Sequence, residues 1–274
     1  MKFKLLLLLI CITSTKLFSQ PYGKQGTKDL PKVEFLLTDG SKADGFFVGF
    51  TYPNGTYPAF FDKDNIYNFI YKKTKSSEDE KFGADEVKSV KIYDEYGDVT
   101  NEINRLDMKY VDKDGKVSDK KKRSFQPLLY DGKIQIYGSN IKMCSTAICN
   151  YGYSQLYIRN AKDDFAVMPV DYDKLGLFAG SLYDKMVEAF RYAGRDCPEF
   201  QKYMNTFEAK LQDKDFKKAL NTKFKDIRKQ AFDEGKKNKL GHNATQDLLG
   251  DYMLQAYLEF YGGIIKEYEK NCPY

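Results

Sequence analysis

The spacing of the apolar residues changes once along this chain, near residue 171, and that change limits the folds open to it. Before this point, apolar and polar residues alternate over short segments that Asp-Gly turn signals separate. After it, apolar residues recur at helical spacing. The sequence therefore predicts an α+β protein. A mostly antiparallel β-rich domain, a sandwich or small barrel, spans 32–170, and a helical domain of about four helices spans 171–274.

The β-rich domain carries repeated strand signals. The segment KVEFLLT is followed by Asp39-Gly40 and then by GFFVGF, which is the pattern of a β-hairpin. The segment VKSVKIY places Val87, Val90 and Ile92 on the face that we expect to point inward. Further strand patterns lie at 66–72, 106–111, 133–138, 155–160 and 164–169.

Amphipathic patterns predict the helices of the second domain. Gly194 ends the first helix, and Asp196 is placed to cap the second, which has Pro198 in its first turn. The fourth pattern contains Gly262-Gly263, a pair that can bend a helix. The apolar positions are Leu182, Met186, Val187, Phe190 and Ala193; Phe200, Met204 and Phe207; Phe216, Leu220, Phe224 and Ile227; and Leu249, Tyr252, Met253, Ala256, Tyr257, Phe260 and Ile264.

Residues 1–19 are typical of a signal peptide. Lys2 and Lys4 form a short basic region, and the apolar run that follows is too short to span a bilayer. Ser19 is small enough to precede a cleavage point. We therefore expect removal of this peptide, a flexible leader at 20–31, and an exported protein in the periplasm or at the cell surface.

Two alternatives to a cleaved signal peptide have weaker support. Lipid attachment at Cys11 requires a small residue before it, and Ile10 is not small. An uncleaved anchor requires a longer apolar run than the one that Lys16 ends. The most apolar later stretch contains Asp251 and Glu259, so we expect no transmembrane segment in the mature chain.

The cysteines indicate two disulfide bonds. Removal of the signal peptide leaves Cys144, Cys149, Cys197 and Cys272, an even number in an oxidising compartment. Of the three possible pairings we favour Cys144 with Cys149 and Cys197 with Cys272. The latter bond would tie a helix start to the C-terminus. Free thiols and a four-thiolate zinc site are the alternatives, and for zinc the spacings lack the close pairs that are typical of such sites.

His242 is the only histidine, and this restricts the chemistry of the chain. A Ser-His-Asp or Cys-His site would need that residue, and a metal site with several histidines is excluded. The sequence also contains no nucleophile elbow and no phosphate-binding loop. We therefore predict no catalytic residues, no metal site and no cofactor, and the balance is against an enzyme. The leading hypothesis is a non-catalytic binding or structural module.

Positive charge is concentrated in one predicted helix. The whole chain has a net charge of +5, which falls to about +2 without the signal peptide and gives no indication of nucleic-acid binding. The segment from Lys210 to Lys239, in contrast, contains 11 basic residues and only 5 acidic ones. A basic amphipathic helix can contact lipid headgroups, acidic glycans or another envelope protein. The candidate contact residues are Lys217, Lys218, Lys225, Arg228 and Lys229.

Two further functions stay open at the level of sequence. A hydrolase acting on envelope glycan or peptide would need a cleft with two buried carboxyls, at least one of them with a raised pKa. A small-ligand carrier would need an apolar cavity inside the β-rich domain. The sequence carries no signal for an oligomeric state.

Five short segments are similar, in their order, to a type of secreted Gram-negative bacterial protein with no assigned activity. The resemblance covers roughly residues 1–207 and implies an envelope location. It also implies that the strand segments and the DCPE segment are scaffold, and it supplies no catalytic residues. The segments are FSQ at 18–20, VEFLLTDGSKADG at 33–45, LLYDGKIQIYG at 128–138, LYIRN at 156–160 and DCPEFQKY at 196–203.

Overall fold

A computed structural model shows a large, mostly antiparallel β-sheet followed by four helices, which confirms the predicted α+β class. It describes residues 30–51, 68–111, 116–145, 148–169 and 182–272, with side chains in the last range from residue 185. The predicted signal peptide, nearly all of the leader and the domain boundary at 170–171 lie outside the described residues. The strands are β1 (Lys32–Leu37), β2 (Lys42–Thr51), β3 (Asn68–Lys72), β4 (Glu80–Gly83), β5 (Val87–Tyr93), β6 (Val99–Tyr110), β7 (Lys122–Tyr130), β8 (Ile134–Ser145), β9 (Ile148–Asn160) and β10 (Ala166–Met168). The helices are α1 (Leu182–Ala193), α2 (Pro198–Gln212), α3 (Lys214–Lys237) and α4 (His242–Asn271).

Five strands of the sheet close into a ring. Strands β6 to β9 pair antiparallel in chain order, and β10 pairs antiparallel with β9 and parallel with β6. This closed ring corresponds to the small-barrel alternative of the prediction. Its interior is a packed core of buried side chains: Leu106, Met108, Tyr137, Tyr157, Ala166 and Met168. These side chains occupy the place where a carrier would need an apolar cavity.

The other strands extend the sheet from β6 in the order β5, β1, β2, β3 and β4. This part of the sheet curls on itself, since the ring centroids of Phe69 in β3 and Phe125 in β7 lie 4.8 Å apart although four strands separate them in the sheet. Phe35 joins the same cluster, with its centroid 5.9 Å from that of Phe69. Edge-to-face aromatic pairs of this kind stabilise a core beyond simple burial.

The β1–β2 hairpin and strand β5 follow the sequence pattern closely. Gly40 adopts a φ of +88°, which L side chains rarely reach, so the Asp39-Gly40 turn depends on this glycine. Val87, Val90 and Ile92 are all buried, as predicted. The first two are three residues apart and still share a face, because a bulge interrupts the register of β5 with β1 between them.

Helices α1 and α4 pack on the outer face of β8, β9 and β10, and α2 packs on α1 and α4 within the same hydrophobic cluster. The ring contributes Ile136 and Ile158 to this interface, and the helices contribute Phe190, Phe200 and Ile264, all of them fully buried. One hydrophobic cluster therefore joins the ring to the helices, and its burial holds the two halves of the chain together.

Two details of the helices differ from the sequence prediction. The N-cap of α2 is Cys197 and not Asp196, and its backbone is extended with φ −119° and ψ 99°. Cys197 takes this position because its sulfur is held by Cys272 and because Pro198 fills the first helical position. Helix α4 continues through Gly262-Gly263 as a single helix.

The four cysteines of the described chain form the two pairs that the sequence favours. The sulfur atoms of Cys144 and Cys149 lie 2.03 Å apart, and those of Cys197 and Cys272 lie 2.11 Å apart. The first pair joins the exposed ends of β8 and β9. The second pair is buried and ties the start of α2 to the end of α4.

The two bonds should differ in their contribution to stability, because they close loops of different length. Replacing Cys197 and Cys272 by serine removes a link across 75 residues and should lower the free energy of unfolding by about 4 kcal/mol. The matched change at Cys144 and Cys149 removes a link across 5 residues and should cost about 2 kcal/mol. Urea denaturation of residues 20–274 measures both, and equal losses would contradict the expectation.

Candidate functional site

Helix α3 has one buried side, which packs against α4. Leu220, Phe224, Ala231 and Gly235 are buried on it. The ring of Phe224 lies 5.0 Å from that of Tyr257 in α4, and the two helices share a hydrophobic cluster. This narrow side leaves most of the circumference of α3 exposed to solvent.

Local interactions define both ends of α3. The Asp213 side chain caps the N-terminus by accepting a hydrogen bond from the backbone N–H of Phe216 at 2.8 Å. At the C-terminus the chain turns at Lys239, whose φ is 52°, and the backbone N–H of Leu240 donates to the carbonyl of Gly235 at 2.9 Å. This is a Schellman ending, which turns the chain back into α4.

One exposed face of α3 carries only positive charge. At about 100° of rotation per residue, seven basic residues fall within an arc of about 120° that holds no carboxylate. All of them are exposed, and no described carboxylate forms an ion pair with any of them. We call this arc the basic face. It consists of Lys214, Lys217, Lys218, Lys225, Arg228, Lys229 and Lys236.

The five contact residues predicted from the sequence all lie on the basic face. The structure adds Lys214 and Lys236 at its two ends. The acidic residues Asp215, Asp226 and Asp233 project from a different side of the helix. A count of charges along the sequence misses this separation, whereas the angular positions over 214–236 reveal it once the helix boundaries are known.

The hairpin of β8 and β9 extends beyond the ring and packs beside α3 and α4. A bulge at Gly152 shifts the register, so that Tyr151 faces the helices whereas Tyr153 faces the ring interior. Tyr151 is buried together with Phe224 of α3 and Met253 of α4. The hairpin therefore supports the same helix pair that presents the basic face.

Side chains at the start of α4 satisfy the free edge of β9. The Asn243 side chain accepts a hydrogen bond from the N–H of Cys149, and the Gln246 side chain accepts one from the N–H of Tyr151, both at 3.0 Å. His242 Nε2 lies 3.0 Å from Asn150 Oδ1. The only histidine of the chain thus belongs to a contact between the helix and the hairpin.

Three tyrosines near α3 have raised pKa values. Burial raises the pKa of Tyr151 to about 12 and also raises the pKa of Tyr257, and the positive charge of Arg228 opposes both shifts. A hydrogen bond to Glu234 raises the pKa of Tyr252 to about 12. All three phenols are therefore neutral at pH 7 and add no negative charge beside the basic face.

The described carboxylates do not form the pair of buried carboxyls that a hydrolase would need. Among the described residues, Asp251 is the one buried carboxylate, and it lies on α4 within 3.4 Å of the Asn140 side chain. Burial raises the pKa of Glu188 on α1, which neighbours Arg191 and Glu208 instead. The raised pKa and the buried carboxylate thus belong to different places in the fold.

Metal-binding clusters and membrane-spanning helices are both absent from the residues that the structure describes. Within the described ranges, no group of three or more His, Cys, Asp and Glu side chains is arranged to hold a metal ion. In the same part of the chain, no helix combines the length and the apolar character that crossing a membrane requires. No protein-family model, curated protein or solved structure matches this chain. The basic face is therefore the candidate functional site.

Two phenylalanines of α3 should respond differently to truncation, and the comparison tests the orientation of the basic face. Phe224→Ala should cost about 3–4 kcal/mol of unfolding free energy, because Phe224 is buried against Tyr257. Phe232→Ala should change it by less than about 0.5 kcal/mol, because 45% of Phe232 is exposed. Chemical denaturation measures both, and similar losses would mean that α3 is rotated relative to this description.

Proposed function

We propose that this protein is a non-catalytic binding module of the bacterial cell envelope that contacts an anionic component through the basic face of α3. The observation that carries the proposal is the exposed arc of seven cations without a carboxylate. The mature chain as a whole is nearly neutral, because the whole chain reaches only +5 including the lysines of the predicted signal peptide, so the charge outside the basic face is net negative. Such a one-sided field attracts anionic partners and orients them.

The arrangement is unfavourable for α3 in isolation, which argues against a purely structural role. Like charges at positions i and i+4, such as Lys214 with Lys218 and Lys225 with Lys229, destabilise a helix by about 0.2–0.5 kcal/mol per pair. Some other lysines are paired, for example Lys223 of the same helix with Glu259 of α4 at 3.7 Å. An anionic partner would remove the repulsion on the basic face.

An envelope location has three supports. The N-terminal sequence pattern is that of a signal peptide, and the two cysteine pairs at disulfide distance are compatible with an exported protein. The resemblance to secreted Gram-negative proteins implies the same location. In the envelope, anionic partners include lipid headgroups, acidic glycans and acidic surfaces of proteins.

The test compares two variants with the same change in charge. In the basic-face variant, glutamate replaces Lys217, Lys218, Lys225, Arg228 and Lys229; in the matched control it replaces Lys81, Lys88, Lys162, Lys266 and Lys270, which are exposed and scattered over the molecule. Sedimentation with native envelope at about 0.15 M ionic strength measures association. The basic-face variant should lose association, whereas the control should keep most of it.

Salt provides a second readout, because screening weakens contacts between exposed charges. Association of the unmodified protein should fall steadily as the salt concentration rises, and that of the basic-face variant should already be at background. Undiminished association of the basic-face variant at moderate salt would overturn the proposal.

A further inference from the structure

Large apolar side chains are exposed at the end of the molecule where α3 ends. Six such side chains are exposed among the described residues, and four of them lie here. Their exposed fractions are 43% for Met143, 58% for Ile148, 45% for Phe232 and 40% for Leu240. We call these four residues the apolar patch. Tyr96 and Val99 are the other two, and they lie at the turn between β5 and β6.

Three segments of the chain at this end of the molecule carry the residues of the apolar patch. Met143 and Ile148 are on the tip of the β8–β9 hairpin, next to the disulfide bond between Cys144 and Cys149. The first turn of α4 contacts this tip, since Asn243 accepts a hydrogen bond from Cys149. Leu240 and Phe232 belong to the turn and to the last two turns of α3 that lead directly into this part of α4.

The exposure of Leu240 follows from the way α3 ends. In a Schellman ending, the second residue after the cap usually packs its side chain on a residue in the last turn of the helix. Here that residue of the last turn is Gly235, which has no side chain. A larger residue does not fit at this position, because its Cβ would approach Thr245 of α4 to 2.8 Å. Leu240 therefore stays in solvent.

Phe232 lies inside the basic face and not at its border. Arg228 and Lys229 precede it by one helical turn, and Lys236 follows it by one turn. Its aromatic side chain is 45% exposed between these cations, and water does not stabilise that apolar surface. Cations around an exposed apolar side chain can contact the headgroups of an anionic bilayer while that side chain enters the interface.

We propose that the anionic component is the surface of a phospholipid bilayer, with the basic face on the headgroup phosphates and the apolar patch inserted into the interface. This inference rests on the proposed function and names its partner. A soluble polyanion or an acidic glycan would satisfy the cations but would offer no apolar phase for Phe232 and its neighbours. A bilayer supplies both within a few ångströms of depth.

The chain contains no tryptophan, so a single substitution provides a specific fluorescent probe. Phe232→Trp reports on the apolar patch, and Tyr96→Trp, at a position 74% exposed, serves as the matched control. Vesicles of phosphatidylcholine with about one-third phosphatidylglycerol provide the anionic surface. The Phe232→Trp spectrum should shift to the blue, and brominated acyl chains should quench it. The control, and vesicles of pure phosphatidylcholine, should show neither effect.

Serine substitutions separate insertion from electrostatic attraction. Replacing Met143, Ile148, Phe232 and Leu240 by serine should lower the partition coefficient on the anionic vesicles about a hundredfold, since these side chains lose their burial. The control variant, with Tyr96→Ser and Val99→Ser, should bind as the unmodified protein does. Thermal unfolding checks that both variants fold, and heparin as a soluble polyanion should bind both variants equally.

Each outcome distinguishes this inference from the proposed function. Vesicle binding with the blue shift and with loss on serine substitution would support both. Salt-sensitive vesicle binding without a shift, or binding to heparin but not to vesicles, would overturn bilayer insertion and leave the anionic contact standing. The same holds if the basic face is required for envelope association and cross-linking in native envelope joins it to a protein. If the unmodified protein does not associate with native envelope at all, both the proposed function and the bilayer inference are overturned.

Discussion

The arrangement of the helices depends on the packing of α4 against strands β8 and β9. Side chains of α4 are buried on several sides, because the helix contacts the ring with one side, α2 with another and α3 with a third. Its first turn satisfies backbone donors of β9 through Asn243 and Gln246, and its last residue leads into the bond between Cys272 and Cys197. A helix fixed at both ends and along its length gives its neighbours a fixed orientation.

Helix α3 is the element that benefits from this rigidity while remaining mostly exposed. It touches the rest of the protein through one narrow buried stripe, and the N-cap at Asp213 and the turn at Lys239 set where it begins and ends. With the buried stripe facing α4, the cations have to project outwards together. The orientation of the basic face is therefore a consequence of core packing, whereas its composition is not required by that packing.

The sequence predicts the elements of this fold better than their assembly. The two-residue period of strands and the 3.6-residue period of helices locate these elements, because each period sets which face of the element carries the apolar residues. Val90 and Phe224 lie on such faces, and both are buried. The parallel pairing of Ala166 with Met108 and the contact of Gln246 with Tyr151 join residues far apart in the chain, so no local pattern announces them. The same limit hides the apolar patch, because the hairpin tip meets α4 only in the folded protein.

The two phenylalanines of α3 show why the exposed side of this helix calls for an explanation outside the fold. Phe224 is buried against Tyr257, and hydrophobic burial accounts for its presence. Phe232 is eight residues further along the same helix, and nearly half of it is in solvent between Arg228 and Lys236. Burial does not account for it, and the neighbouring cations repel one another. The exposed Phe232 and the cations that repel one another lie on the same face of α3. One kind of surface, an anionic layer with an apolar interior, would relieve both.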